Sequence, residues 1–145
     1  MLLFTALIYG ILAAGAAFLL ESLFLTGLSL NILVLIAGAI LEEGAKFIFL
    51  FQWRKRFLPL VPILLPYQLF LFTLFGVGFA MVEISLAVPP KISILLSLTS
   101  IHILTSLLLG SFLILKKSSP IMLPLGFILA ISLHTTYNFI VASLQ

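Results

Sequence analysis

The 145 residues include no cysteine, which removes disulfides, thiolate nucleophiles and sulfur-ligated metal centres from consideration. Charge is nearly as scarce: Asp, Glu, Lys and Arg make up 8% of the chain, whereas ordinary globular domains carry about 25%. In their place stand 63% hydrophobic residues and a mean hydropathy of +1.41, a composition that excludes a soluble globular domain and indicates an integral membrane protein. The net charge of +3 is no sign of nucleic-acid binding. Arg54, Lys55, Arg56, Lys116 and Lys117 fall in two gaps between apolar runs, where basic residues report topology.

A membrane-spanning helix needs about 20 apolar residues. The pattern therefore predicts an all-α, polytopic membrane protein, a single transmembrane domain over 1–145 with five helices at about 2–25, 30–53, 66–88, 91–115 and 120–144. Ala14-Gly15-Ala16 resembles a signal-peptidase site, but without a cationic start the first run reads as a retained span. Ala13 to Ala17 form a small-residue patch suited to close helix packing. Thr26 to Asn31 make a turn, and Trp53 with Arg54-Lys55-Arg56 closes the second span at an interface. Pro59, Pro62 and Pro66 predict an interfacial segment with the third helix starting near Pro66, and Pro89-Pro90 precede the fourth helix, which Lys91 opens. Both basic loops then face the cytoplasm of a prokaryotic membrane, with the N-terminus inside and the C-terminus outside.

One stretch breaks the apolar pattern. Glu42-Glu43-Gly44-Ala45-Lys46 sets three ionisable groups inside the second run, where each costs roughly 2.5–3.5 kcal/mol or more at mid-membrane. Lys46 lies angularly between the two carboxylates, so one negative charge lacks a partner in its own helix. Other helices offer groups to match. Glu83 shares a face with Gly76, Ala80 and Ala87; His102 shares one with Thr99, Ser106 and Gly110; and Gly126, Ala130, His134, Asn138 and Ala142 recur every four residues. The 1.5 Å rise per residue puts Glu42, Glu43, His102 and His134 roughly 15–20 Å below the outer boundary, and Glu83 and Asn138 roughly 9 Å below it.

Fully ionised, with neutral histidines, this set carries about two negative charges, which shared protons or a divalent cation must offset. Both solutions suit hydrolysis. A carboxylate with an imidazole can deprotonate a water while another imidazole and an amide donate to the oxyanion. Alternatively, two histidines and a glutamate, drawn from His102, His134, Glu43 and Glu83, bind Zn²⁺ and lower the pKa of its water to about 7. The spacing leaves both open, and the absence of HExxH excludes a conventional zincin. A non-catalytic scaffold or immunity-type protein of the same fold, and a proton or ion carrier, are the rival classes. Glu21 reads as an interfacial or structural charge, and Trp53, Tyr67 and the fourteen phenylalanines as belt and lipid-facing residues.

Four motifs occur in order on successive predicted helices: Glu42-Glu43-Gly44-Ala45-Lys46 (EExxK), Phe79 to Glu83 (FxxxE), Leu98 to His102, and His134 to Asn138 (HxxxN). Together they resemble the PrsW intramembrane proteases, part of a superfamily with the type II CAAX prenyl endopeptidases. Leu98 stands where that family usually has Phe. The resemblance implies an intramembrane endopeptidase that cuts a peptide bond in or beside the membrane span of a single-span protein or lipidated peptide, as in anti-sigma-factor release, with membrane lipids as the other partner and no nucleic acid. It further implies that Glu42 and His102 activate water, that His134 and Asn138 form the oxyanion hole, and that Glu43, Glu83 and Lys46 orient or tune them.

Overall fold

The computed structural model describes residues 1–29, 31–57, 64–86, 92–116 and 119–143, with the side chains of 93 and 94 left aside. Pro59, Pro62, Pro89-Pro90, Lys91 and Lys117, and with them the expected interfacial segment, lie outside the described residues. Five helices and no strand occur among those described: α1 Leu2–Phe24, α2 Ile32–Phe57, α3 Leu65–Leu86, α4 Ile92–Leu115 and α5 Met122–Ser143. The chain is thus all-α, as its hydropathy requires. Helices α1, α3, α4 and α5 are long and apolar enough to cross a membrane. The 26 residues of α2 extend about 39 Å at 1.5 Å per residue, but its length is interrupted by charge.

Helix boundaries have local causes. Gly27, at φ +84°, takes the left-handed conformation that ends the α1 turn without Cβ strain. The Asn31 side chain then caps α2, its Oδ1 accepting from the backbone N–H groups of Leu33 and Val34 at 3.0 and 3.1 Å. Pro66 sits in the first turn of α3, where its missing N–H costs nothing.

The helices close into a ring in the order α1, α3, α4, α5, α2, with α2 also touching α4 across the middle. Small residues set how closely they approach. Gly10 of α1 abuts the α3 backbone at Phe75 and Phe79, and Gly78 of α3 abuts α1 at Leu7, so neither site has room for a Cβ. A Cβ on Gly76 would lie 2.6 Å from the His102 carbonyl oxygen, so this glycine brings α3 against the α4 turn that carries the histidine. The predicted Ala13–Ala17 patch is used the same way: Ala13, Ala14 and Ala17 are buried.

Two expectations about aromatics are corrected. Helix α2 does not stop at Trp53 but continues through Arg54–Arg56 to Phe57. Trp53 is fully buried instead of lying at an interface, because its indole N–H has a polar partner inside, the Thr5 hydroxyl at 3.1 Å, and its ring meets Phe72 edge-on. Phe72, Phe75 and Phe79 are likewise core residues and not lipid-facing. The Phe72 ring lies against Gly110, leaving no room for a Cβ there. Tyr67, in contrast, is exposed as expected.

Trp53 also helps seal one end of the bundle. Leu50, Trp53, Phe72, Leu109 and Leu113 pack there without exposure beyond a few per cent, and Arg54 donates to the Leu113 carbonyl at 2.8 Å. The α2 basic cluster, Lys116 and the start of α1 gather at this end. Tight packing at Gly76 gives a clear expectation: Gly76→Leu should destabilise the protein by about 1–3 kcal/mol or more, whereas Gly15→Ala, which meets open space, should be near neutral. Thermal or denaturant unfolding in lipid bicelles measures both.

Candidate active site

Midway along α2, Lys46 forms the centre of the polar layer. Its ammonium has three N–H donors and no acceptor. All three are used: on Glu43 Oε1 at 2.6 Å, His102 Nδ1 at 2.8 Å and Thr105 Oγ1 at 3.1 Å. Phe79 covers the group, with its ring centroid 4.4 Å from Nζ. Lys46, Glu43, His102 and Thr105 are wholly buried, so the charge of Lys46 is matched by Glu43 alone in this contact and by two neutral acceptors.

This arrangement decides where the imidazole protons reside. Because His102 Nδ1 accepts from an ammonium, its ring carries the proton on Nε2, which donates to Glu83 Oε2. His134 has the opposite tautomer. Its Nδ1–H donates to Glu43 Oε1 at 2.6 Å, which in the neutral ring leaves Nε2 with a bare lone pair. That lone pair lies 3.5 Å from Glu42 Oε2, and neither atom has a protein donor although both are buried. Two acceptors facing each other in low dielectric need a proton, a water or a cation.

All seven sequence-predicted residues belong to this region, but their pairing differs from expectation. Glu42 faces His134, and His102 pairs with Glu83, instead of Glu42 with His102 and His134 with Asn138. The cause is Lys46. By bridging Glu43 to His102 it turns each ring so that the outer nitrogens meet Glu83 and Glu42 respectively. Asn138, one turn beyond His134, is half-buried and lines a groove with Glu42.

Two cavities reach the layer. One, of about 50 Å³, is lined by Glu21, Glu42, Phe79 and Glu83. A water needs roughly 10–15 Å³ of such space, so it has room for a few waters beside the Glu42 carboxylate. The other is an open groove of about 360 Å³ between α1, α2 and α5, bordered by Glu21, Ser22, Gly38, Glu42 and Asn138. Its size falls among ligand sites of roughly 300–1,000 Å³. It leads away from the end closed by Trp53.

Sequence reasoning missed Glu21 and Thr105. Thr105 lies one turn beyond His102, a spacing that signals a shared face, but a lone threonine in an apolar helix carries no other mark. Glu21 was placed apart from the cluster, whereas it borders both cavities with Glu42. Gly38, one turn before Glu42, explains this: without a side chain there, the Glu21 carboxyl lies over α2, with Oε1 3.4 Å from where a Cβ would be.

The donor set also bears on zinc. One ligand atom each from Glu42, His102 and His134 lie within 4.8 Å of one another, whereas Glu43 is already engaged by Lys46 and His134. His134 suits a metal, since its other nitrogen donates to a carboxylate as metal-binding histidines do. His102 does not suit it in this arrangement, because Lys46 occupies one nitrogen and the other holds the proton. That leaves two protein ligands where catalytic zinc ordinarily has three.

The dependence on Lys46 is measurable. Lys46→Met leaves Glu43, His102 and Thr105 buried without their donor, and should cost about 3–5 kcal/mol of stability. Thr105→Val removes one neutral acceptor and should cost only about 1 kcal/mol. Equal effects of the two in equilibrium unfolding would contradict this account of the layer.

Compared with protein-family models, curated proteins and solved structures, the chain has no significant match.

Proposed function

We propose that the protein is an intramembrane endopeptidase in which Glu42, assisted by His134, activates water against a peptide bond in or beside the span of a membrane-anchored substrate. One observation carries this reading: the buried pair of acceptors, Glu42 Oε2 and His134 Nε2, lies 3.5 Å apart without a hydrogen-bond partner, and Glu42 lines a cavity with room for a few waters. A water beside them donates to both and loses its proton to the carboxylate as it attacks. Glu43 holds His134 in the tautomer that exposes Nε2, and Lys46 keeps Glu43 ionised and His102 oriented. The donors available to the developing oxyanion are the His102 Nε2–H, which rests on Glu83, and the Asn138 amide on the groove side. Four ordered motifs resembling PrsW proteases support the same reading, with the water-activating and oxyanion roles of the two histidines exchanged.

The open groove accommodates an extended stretch of substrate chain, and the apolar packing at the opposite end among the described residues weighs against a carrier, which needs access from both sides. With the basic end in the cytoplasm, the groove faces outward and the cut falls on the extracytoplasmic half of a prokaryotic membrane. His102 being committed to Lys46 and Glu83 favours the route without metal.

Cleavage of single-span substrates in proteoliposomes, with mass spectrometry locating the cut, tests the proposal. Glu42→Gln and His134→Gln should each lower kcat/KM by at least about 100-fold while the helices stay folded by circular dichroism. Activity should persist in chelator with less than about a tenth of an equivalent of zinc bound. Wild-type rates in both variants would overturn the mechanism, and loss of activity with zinc would overturn its metal-free form.

A further inference from the structure

All four acidic side chains of the sequence, Glu21, Glu42, Glu43 and Glu83, belong to the polar layer or border its cavities. The other end of the bundle carries Arg54, Lys55, Arg56 and Lys116 among the described residues. Glu43, the nearest carboxylate on α2, lies three turns before Arg54, about 16 Å along the helix, and is held by Lys46 and His134. Helix dipoles offset part of this charge. Both α2 and α4 end here, each contributing roughly half a negative charge, so about one of the four cations is matched. Two of the four have defined positions. Arg54 leaves α2 sideways, its Nη1–H donating to the Leu113 carbonyl in the last turn of α4 at 2.8 Å, while its Nε–H is shielded from water without an acceptor. A neutral carbonyl is thus the one hydrogen-bond partner of this half-buried guanidinium among the described residues. Lys116, just past α4, reaches the other way and sets its ammonium 5.2 Å from the ring centre of Phe51 on α2. Phe51 and Arg54 are three residues apart on one face of α2, so the two cations cross between the ends of α2 and α4 on a shared surface. Beside them Ile48, Phe51 and Leu115 are exposed.

We propose that Arg54 and Lys116 bind the phosphate of one anionic phospholipid, whose acyl chains lie along Ile48, Phe51 and Leu115. A phosphodiester brings the negative charge and the oxygen acceptors that this end of the protein lacks, and guanidinium and ammonium groups are its usual donors. An acyl chain covers apolar side chains that no helix covers. A lipid offers both in one molecule, whereas inorganic phosphate offers only the first. Basic pockets between membrane helices hold lipid headgroups in this way. Because the two cations belong to different helices, the bound headgroup ties α2 to α4 at the end away from the polar layer. Lys55 and Arg56 are exposed, with Arg56 resting on the adjacent Phe57, and add to the general attraction without forming the site. The site is independent of the chemistry assigned to the polar layer.

Mass spectrometry of the intact protein, released from bilayers of equal phosphatidylglycerol and phosphatidylcholine with matched acyl chains, counts the lipids it retains. The full chain should keep about one phosphatidylglycerol, favoured over phosphatidylcholine by about fivefold or more. Arg54→Gln and Lys116→Gln should each reduce that preference to about twofold or less, while Lys55→Gln leaves it close to the wild-type value. Lys116 is exposed, so its substitution keeps the helices folded by circular dichroism and reads the site even if Arg54→Gln loosens the contact with α4. Excess inorganic phosphate should not displace the lipid. Absence of any preference in the wild-type protein overturns the proposal. Equal losses in Lys55→Gln and Lys116→Gln overturn it in favour of diffuse attraction to the basic end, and displacement by inorganic phosphate overturns the assignment to a lipid.

Discussion

A single buried ammonium organises this molecule. Lys46 has no route to water, so all three of its N–H groups must find acceptors within the bundle, and it finds them on two helices: Glu43 on its own and His102 and Thr105 on α4. An unpaired charge in a membrane interior is far costlier than the geometry needed to pair it. The register of α2 against α4 is therefore held by chemistry where apolar packing alone would allow sliding. From that register the rest follows, because an ammonium on one nitrogen of His102 sends its proton to the other, and the ionised Glu43 does the reverse for His134.

Backbone proximity makes such a layer compatible with a bundle of only five helices among the described residues. Gly10, Gly76 and Gly78 let α1, α3 and α4 approach at backbone contact, and the phenylalanines at 72, 75 and 79 occupy the remaining volume. Apolar packing is concentrated below Lys46, toward the basic end, while small cavities and carboxylates lie above it. Among the described residues, the polar layer opens toward the groove while the opposite end is filled by apolar side chains.

Much of this was legible in the sequence. Long apolar runs set five helices, with ends within a few residues of those found except at α2, where Arg54–Arg56 continue the helix past Trp53. Ionisable residues stand out against an apolar chain, so Glu42, Glu43, Lys46, Glu83, His102, His134 and Asn138 could be named, and periodicity put Glu83, His102, His134 and Asn138 on small-residue or polar stripes. Pairing was not legible, since it depends on which way a ring turns, and that is decided by Lys46 reaching across to α4. The place of Glu21 beside Glu42 was not legible, because it depends on the bare surface of Gly38, over which the Glu21 carboxyl lies. Trp53 was misjudged because the belt preference of tryptophan describes an indole whose N–H needs water, and here Thr5 takes its place.

The central claim is that His134 presents a bare Nε2 to Glu42 while His102 holds its proton on Nε2. Nitrogen-15 NMR of histidine-labelled protein in lipid bilayers reads both tautomers directly, with His102→Gln and His134→Gln variants assigning the signals. The account predicts a protonated Nδ1 and unprotonated Nε2 for His134, and the reverse for His102. A proton on Nε2 of His134, or on Nδ1 of His102, would contradict it.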